Sequence, residues 1–343
     1  MFSRLDRRGN ETACGDFEST EEGLTRFLRE HVGRRRTHVS LEACGGMLWI
    51  YDRLVAKLGE ERVHVAQSRR IRAIANSQEK NDANDAWWLA YLTHEGRLPE
   101  CYIPRGTIRE IRLATRERQA LVVMRTRLIV QLRSHLRQAG VRPPERALRT
   151  DANWTFLEDQ AAQRGGSLGH AIEFTLELID HVDGGIADWE ARIDTLSASL
   201  PAVSALKREI PGVGSVIAAI IVAESGPFER FRSAKAYGKY TGLTPADRSS
   251  GGRVIYGSIT RQGSPHLRRA LTQAATICCR FKKGRGAVVR SWIEAKQARM
   301  GNKTKARVAA ARKLAESIWR LFTLGECFDA SKPFGIPRKE LAA

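Results

Sequence analysis

The chain has no CxxC pair, no apolar run of membrane length, no signal-peptide pattern in its opening MFSRLDRRGNE and no Walker phosphate loop. Each absence excludes something. The six cysteines, Cys14, Cys44, Cys101, Cys278, Cys279 and Cys327, lack metal-site or disulfide-framework spacing, which argues against both and for a reducing cytoplasm. The eight histidines are scattered, with no recognisable ligand spacing. The longest apolar run, around Val216 to Ala223, falls well short of the roughly 20 residues that span a bilayer. Without a Walker sequence, bond chemistry coupled to ATP is not expected. There is no internal repeat and no low-complexity linker. Acids are in the minority: 57 Lys and Arg stand against 38 Asp and Glu, a net charge of +19 and a pI near 10.2. That balance selects a polyanionic partner, with nucleic acid ahead of an acidic membrane surface. A length of 343 residues with 42% hydrophobic content suits two or three domains, each with a core.

The first third alternates strands and helices. Residues 2–6 and 12–17 suit a hairpin around Arg7, Arg8, Gly9 and Asn10. Thr20, followed by Glu21 and Glu22, starts a helix with Leu24, Phe27 and Leu28 on one face. A strand over 37–41 ends at Glu42, a helix over 46–58 turns Leu48, Leu54, Val55 and Leu58 inward, and 62–66 is a further strand. Asn81 to Asp85 then opens a helix containing Trp87, Trp88, Leu89 and Leu92. The order predicts an α/β layer fold. Glu42 falls at the carboxy end of a strand, where open α/β sheets place their sites. Asp82 and Asp85, three apart, share one face of a helix start, which suits Mg²⁺ binding and helix capping alike.

Ile103-Pro104 ends this region, and the remainder reads as mainly helical. A helix over 107–138 carries Ile108, Ile111, Leu121, Leu128, Leu132 and Leu136, with arginines such as Arg109, Arg112, Arg116, Arg118, Arg125, Arg127, Arg133 and Arg137 on its other faces. A helix this basic suits a nucleic-acid backbone if it is exposed, or is a solvated face. A second helix over 170–199 predicts an arm, either an intramolecular hairpin or a dimer contact.

The densest stretch is Ile210 to Leu271. Pro211-Gly212-Val213-Gly214 before an apolar run fits a helix-hairpin-helix backbone clamp, or an ordinary loop entering a buried helix. Arg248-Ser249-Ser250-Gly251-Gly252-Arg253 sets two hydroxyls between arginines able to grip a phosphodiester, or is a solvated turn. Thr260 to Arg269 is a basic turn and a helix start, with Arg261, Arg268 and Arg269 suited to phosphate or simply solvated. Two further helices follow, the first with Val288, Trp292 and Ile293 and the second amphipathic, and the tail beyond Asp329 is expected to be loose.

The order PGVG, GPFERFRSAKAYGKYTGLTP, SSGG, GSITRQGSPHLRR resembles the carboxy-terminal half of the insertion-sequence-110 family of transposases, which includes Piv-type DNA invertases. FESTEEGLTRFL, HVSLEACGG and KNDANDAWWLAYL resemble its RuvC-like, ribonuclease-H-fold domain, and GNKTKARVAAARKL its closing helix. The resemblance implies an N-terminally incomplete RuvC-like domain over 1–104, a basic helical or coiled-coil arm over 105–200, a mainly helical transposase domain over 201–330 and a tail over 331–343. It implies a nucleophilic Ser250, with Ser249 as second choice, and a Mg²⁺ site at Glu42, Asp82 and Asp85, three of the family's four DEDD acids. DNA contacts would come from Gly212, Gly214, Arg248, Arg253, Arg261, Arg268 and Arg269. The first DEDD Asp has no counterpart, since Asp6 falls in the segment that corresponds to the family's second strand. The expectation is therefore a truncated or mis-started chain, or an inactive remnant. The family further implies a composite site in a dimer or tetramer, action on DNA in the bacterial cytoplasm at the nucleoid, and, in some members, a structured guide RNA. Two alternatives stand beside the recombinase: a binding-only remnant and a RuvC-like metal nuclease.

Overall fold

A computed structural model of the chain describes residues 1–33, 37–67, 71, 81–144, 150–247 and 256–334. These form two compact units, Met1–Ile103 and Pro104–Ala343. Among the described residues no helix is long and apolar enough to cross a membrane.

The first unit opens with an antiparallel hairpin of β1 (Phe2–Leu5) and β2 (Glu11–Gly15). Asp6 shapes its turn, accepting the backbone N–H groups of Arg8 at 2.7 Å and Asn10 at 3.0 Å. That turn duty accounts for Asp6 without a metal. Helix α1 (Glu21–Glu30) starts where the sequence predicts, with Thr20 accepting the Gly23 N–H at 3.1 Å. Strands β3 (Val39–Glu42) and β4 (Val63–Ala66) pair in parallel around α2 (Met47–Leu58), and α3 (Asp82–His94) follows with Asn81 as its cap. Side chains alternate across a strand with period two. Val39, Leu41, Val63 and Val65 accordingly join Met47, Tyr51, Leu54 and Leu58 of α2 in one core. Ser40 and Ala66 face the other way, toward α3: Ser40 hydrogen-bonds Thr93, and Ala66 packs with Leu92. Leu48, expected inward, is instead 38% exposed, because the buried stripe of α2 runs through positions 47, 51, 54 and 58.

The second unit begins with α4 (Gly106–Gln138), which folds back on α6 (Gly166–Ser197), with α5 (Asp151–Arg164) between them. Leu132, Leu136, Leu157, Ala161, Ile172, Leu176 and Ile179 form the core of this arm, so an intramolecular hairpin is made. The arginines of α4 are less available than their number suggests. Arg118 pairs with Glu190 at 2.9 Å, Arg125 with Asp183 at 2.7 Å and Arg116 with Glu224 at 2.9 Å, while Arg112 donates to the Ala223 carbonyl. Residues 104–200 hold 14 basic against 13 acidic side chains. The expectation of a strongly basic arm is corrected by these pairs and by the acids of α6.

The largest core lies beyond residue 200. It is built from α7 (Pro201–Glu209), α8 (Ser215–Ser225), α9 (Ala234–Tyr240), α10 (Pro265–Cys278), α11 (Gly284–Met300) and α12 (Lys303–Leu324). A short antiparallel hairpin, β5 (Pro245–Asp247) and β6 (Tyr256–Ile259), precedes α10. On α11 the buried hydrophobic side chains are Val289 and Ile293, whereas Val288 is 40% exposed. The first residues past Asp329, expected to be loose, are packed: α13 (Ser331–Phe334) seats Phe334 beside Trp292, and Lys313 donates to the Pro333 carbonyl, while residues 335–343 of the expected tail lie outside the described residues.

Candidate active site and nucleic-acid interface

In the first unit the strand alternation puts Glu42 on the α3 side of β3, with Ser40 and Ala66. Asp82 and Asp85 lie in the first turn of α3, while the contacts of α3 with Ser40 and Ala66 come from its last turn, at Thr93 and Leu92. Eleven residues separate Asp82 from Thr93, about 16 Å of helix at 1.5 Å per residue. The two aspartates share a helix face, at the end of α3 opposite the Thr93 contact. Among the described residues no three His, Cys, Asp or Glu side chains stand close enough together to hold a metal ion. The donor chemistry still fits Mg²⁺, which takes oxygen ligands and commonly uses only one or two carboxylates, the rest coming from water and phosphate.

In the second unit the PGVG stretch is the turn between α7 and α8. Its two glycines do different work. Gly212 has φ +79°, and a Cβ there would strike the Ala274 carbonyl oxygen on α10, so its role is close packing. Gly214 precedes α8 with no side-chain cap, and a Cβ there would meet nothing within 4 Å. The amino end of α8 is therefore open, with backbone N–H groups of the kind that receive phosphate. Residues Ile217 to Ser225 of that helix are buried.

The hairpin β5–β6 brackets the RSSGGR stretch, and Arg248, Ser249, Ser250 and Arg253 lie outside the described residues. After β6 the chain turns sharply. Thr260 N–H donates to Thr244 at 2.9 Å and Arg261 N–H to Gly242 at 3.2 Å. Arg261 itself takes φ +54°, a left-handed conformation uncommon outside glycine. Gly263 has φ +111° and sits where a Cβ would collide with the Tyr240 carbonyl oxygen. Ser264 caps α10, accepting Leu267 N–H at 3.3 Å, and also hydrogen-bonds Glu224. Arg268 folds back to the carbonyls of Thr241 and Gly263, each at 3.4 Å, so it braces the turn from within. Burial, with the charge of Arg261 beside it, holds the Arg268 guanidinium below its ordinary value. Arg261 and Arg269 are exposed.

Behind this turn lies a polar group that sequence reasoning missed. Glu224 is 2% exposed, and its carboxylate takes both a 2.9 Å and a 3.2 Å bond from Arg116. Burial pushes its carboxyl up, but the hydrogen bonds of Arg116 and Ser264 and the charges of Arg112 and Arg116 outweigh that and leave it below the usual value. Tyr240 donates to its backbone carbonyl at 3.0 Å. His266, half-buried in the first turn of α10, is held below its ordinary value by burial first, then by Arg116 and Arg269 against the pull of Glu224. The available signal is a lone acid directly after the apolar run Val216 to Ala223, which marks a buried charge in need of partners.

Two family models match: one described as "Transposase", of the DEDD insertion-sequence-110 type, over residues 2–141, and one described as "Transposase IS116/IS110/IS902 family" over residues 204–289. "Putative transposase y4pF/y4sB" of Sinorhizobium fredii is 31% identical over 329 residues, covering 88% of this chain and 79% of that protein. "Transposase for insertion sequence element IS1111A" of Coxiella burnetii is 25% identical, with 84% and 79% covered. "Transposase for insertion sequence element IS1328" of Yersinia enterocolitica is 25% identical, with 84% and 85% covered. With the acids on β3 and α3, the bracketed serines and the capped basic turn in the matched order, the chain belongs to the insertion-sequence-110 family of transposases.

Proposed function

We propose that this transposase cuts and rejoins DNA by serine transesterification, within a RuvC-like domain and a carboxy-terminal transposase domain joined by the helical arm. The Ser250 hydroxyl attacks a phosphodiester. The Oγ–P bond forms as the bond to the departing strand breaks, and the hydroxyl proton leaves to solvent or a base. The bond energy is kept in the adduct, so a second strand can later displace the serine. Arg248 and Arg253 flank it as phosphate grips. Arg261 and Arg269, on the exposed side of the turn, hold the backbone, with Arg268 bracing them. Gly214 opens a helix end to phosphate and Gly212 sets the turn that presents it. Asp82 and Asp85, with Glu42 as a third donor, would hold Mg²⁺, which when bound polarises the phosphate. The residues act from more than one protomer of a dimer or tetramer, with a structured RNA as guide.

The observation that carries this reading is the hairpin β5–β6, which brackets the two serines and runs directly into the braced basic turn. Ser250→Ala tests it. With the DNA that flanks the gene and Mg²⁺, the native chain is expected to form an adduct that survives denaturation, and the variant to bind the same DNA without one. A second reading, binding without strand transfer, draws on the acids themselves, no three of which stand close enough among the described residues to hold a metal ion. Absence of adduct in both proteins, with binding intact, would favour it. A metal nuclease would instead cut equally well without Ser250.

A further inference from the structure

We propose that Trp87, Tyr91 and His94 of α3 form a stacking platform for unpaired nucleobases, with Arg7 and Arg8 meeting the flanking phosphates. The inference rests on the reading above, that the chain acts on DNA. Positions 87, 91 and 94 follow the i, i+4, i+7 spacing of one helix stripe, about 10 Å long. The Trp87 and Tyr91 rings stack at 5.0 Å with only 8° between their planes, and Trp88 braces both edge-on, at 82° and 86°. Trp88, Leu89 and Leu92 pack toward Ala66 and Ile71. Trp87 and Tyr91 are half-buried and belong to none of the apolar cores of the described residues. The stripe ends at the β1–β2 turn: a Cβ on Gly9 would lie 3.6 Å from the His94 ring, and Arg7 and Arg8 beside it are exposed.

The occupant follows from the surface chemistry. The stripe contains Asn84, Trp87, Tyr91 and His94 and no aliphatic side chain, so it lacks the Leu, Ile or Val that an apolar protein partner would interdigitate with. Flat rings edged by cations suit a base and its phosphate. Any base offers a π face, and a paired base in a duplex does not. The partner is thus a strand locally freed from its complement, as strand exchange requires. At 3.6 residues per turn, positions 87, 91 and 94 fall on the side of α3 opposite Asp85, Leu89 and Leu92, of which the two leucines pack toward Ala66, so the platform is a separate contact from Asp85 and Glu42.

The test compares the full native chain with Trp87→Ala and Trp87→Phe. Binding is read by anisotropy of a labelled single-stranded oligonucleotide, of its duplex and of a single strand with abasic sites, at one salt concentration. Trp87→Ala is expected to weaken the unmodified single strand about five- to a hundredfold, with Trp87→Phe restoring most of it. Duplex binding should not change, and the abasic strand should bind the native chain as poorly as the plain strand binds Trp87→Ala. Equal loss on duplex and single strand, or no loss on either, would overturn the platform while leaving the transposase reading intact. A change in oligomeric mass with single-strand binding retained would assign the face to a second copy and equally overturn it. Failure of the native chain to bind any of the three DNAs would instead sink the transposase reading.

Discussion

Glu224 is the residue on which the second unit is most exposed to damage. It joins the arm, through Arg112 and Arg116, to the RQGSPH turn, through Ser264. Removing one member of a buried ion pair strands the others, at a typical cost of 3–5 kcal/mol. Arg116 is 44% exposed and can rehydrate, so Glu224→Ala is expected to cost about 3 kcal/mol, at the low end of that range. For a unit of this size that lowers the melting temperature by about 6–12 °C. The pH dependence has a definite sign. The folded carboxyl lies below its ordinary 4.5, so its contribution is complete above that pH and is lost as pH falls through the folded value. The melting-temperature gap between the native chain and Glu224→Gln should hold steady from pH 7 to 5 and close below about 4.5. A gap that widened on acidification would refute the ion-pair account.

At the scale of elements, local chemistry decided what could be read. Thr20 before two glutamates and Asn81 before Asp82 are capping signals, and both helices start there. The two-residue alternation of VSLE and VHVA separated the α2 face from the α3 face. Helix α5 escaped notice although Thr150 caps it, because Trp154, Leu157 and Ala161 make a short apolar stripe that pays off only when α4 and α6 close around it. The arm's pairs were equally hidden, since Arg125 and Asp183 or Arg118 and Glu190 meet only after the chain folds back. Ser250 was legible as chemistry, from hydroxyls beside a Gly pair, yet its geometry lies outside the described residues. The missed helix yields its own test. Leu157 is fully buried in the arm core, and Leu157→Ala should cost about 2–5 kcal/mol. Hydrogen exchange should speed up in the arm segments 128–138 and 151–179 and stay unchanged beyond residue 200. Uniform acceleration over the whole unit would mean that the arm is not a separate layer of stability.

Over the whole molecule the charge is concentrated rather than spread. Residues 1–103 carry 16 basic and 16 acidic side chains, and residues 104–200 are nearly balanced. Residues 201–343 carry 27 basic against 9 acidic, which is +18 of the total +19. Long-range attraction for a phosphate backbone therefore comes from the part of the chain that contains the RSSGGR stretch and the RQGSPH turn. Each phosphate neutralised adds about 0.9 to the slope of log affinity against log salt. Arg261→Ala with Arg269→Ala should lower that slope by about 2 on duplex DNA. Arg127→Ala with Arg137→Ala, both exposed on α4 but facing a field balanced by α6, should lower it by much less. If the arm pair changed the slope as much as the turn pair, the arm would have to lie along the DNA. Electrostatic capture would then be a property of the long helix rather than of the domain that holds the serines.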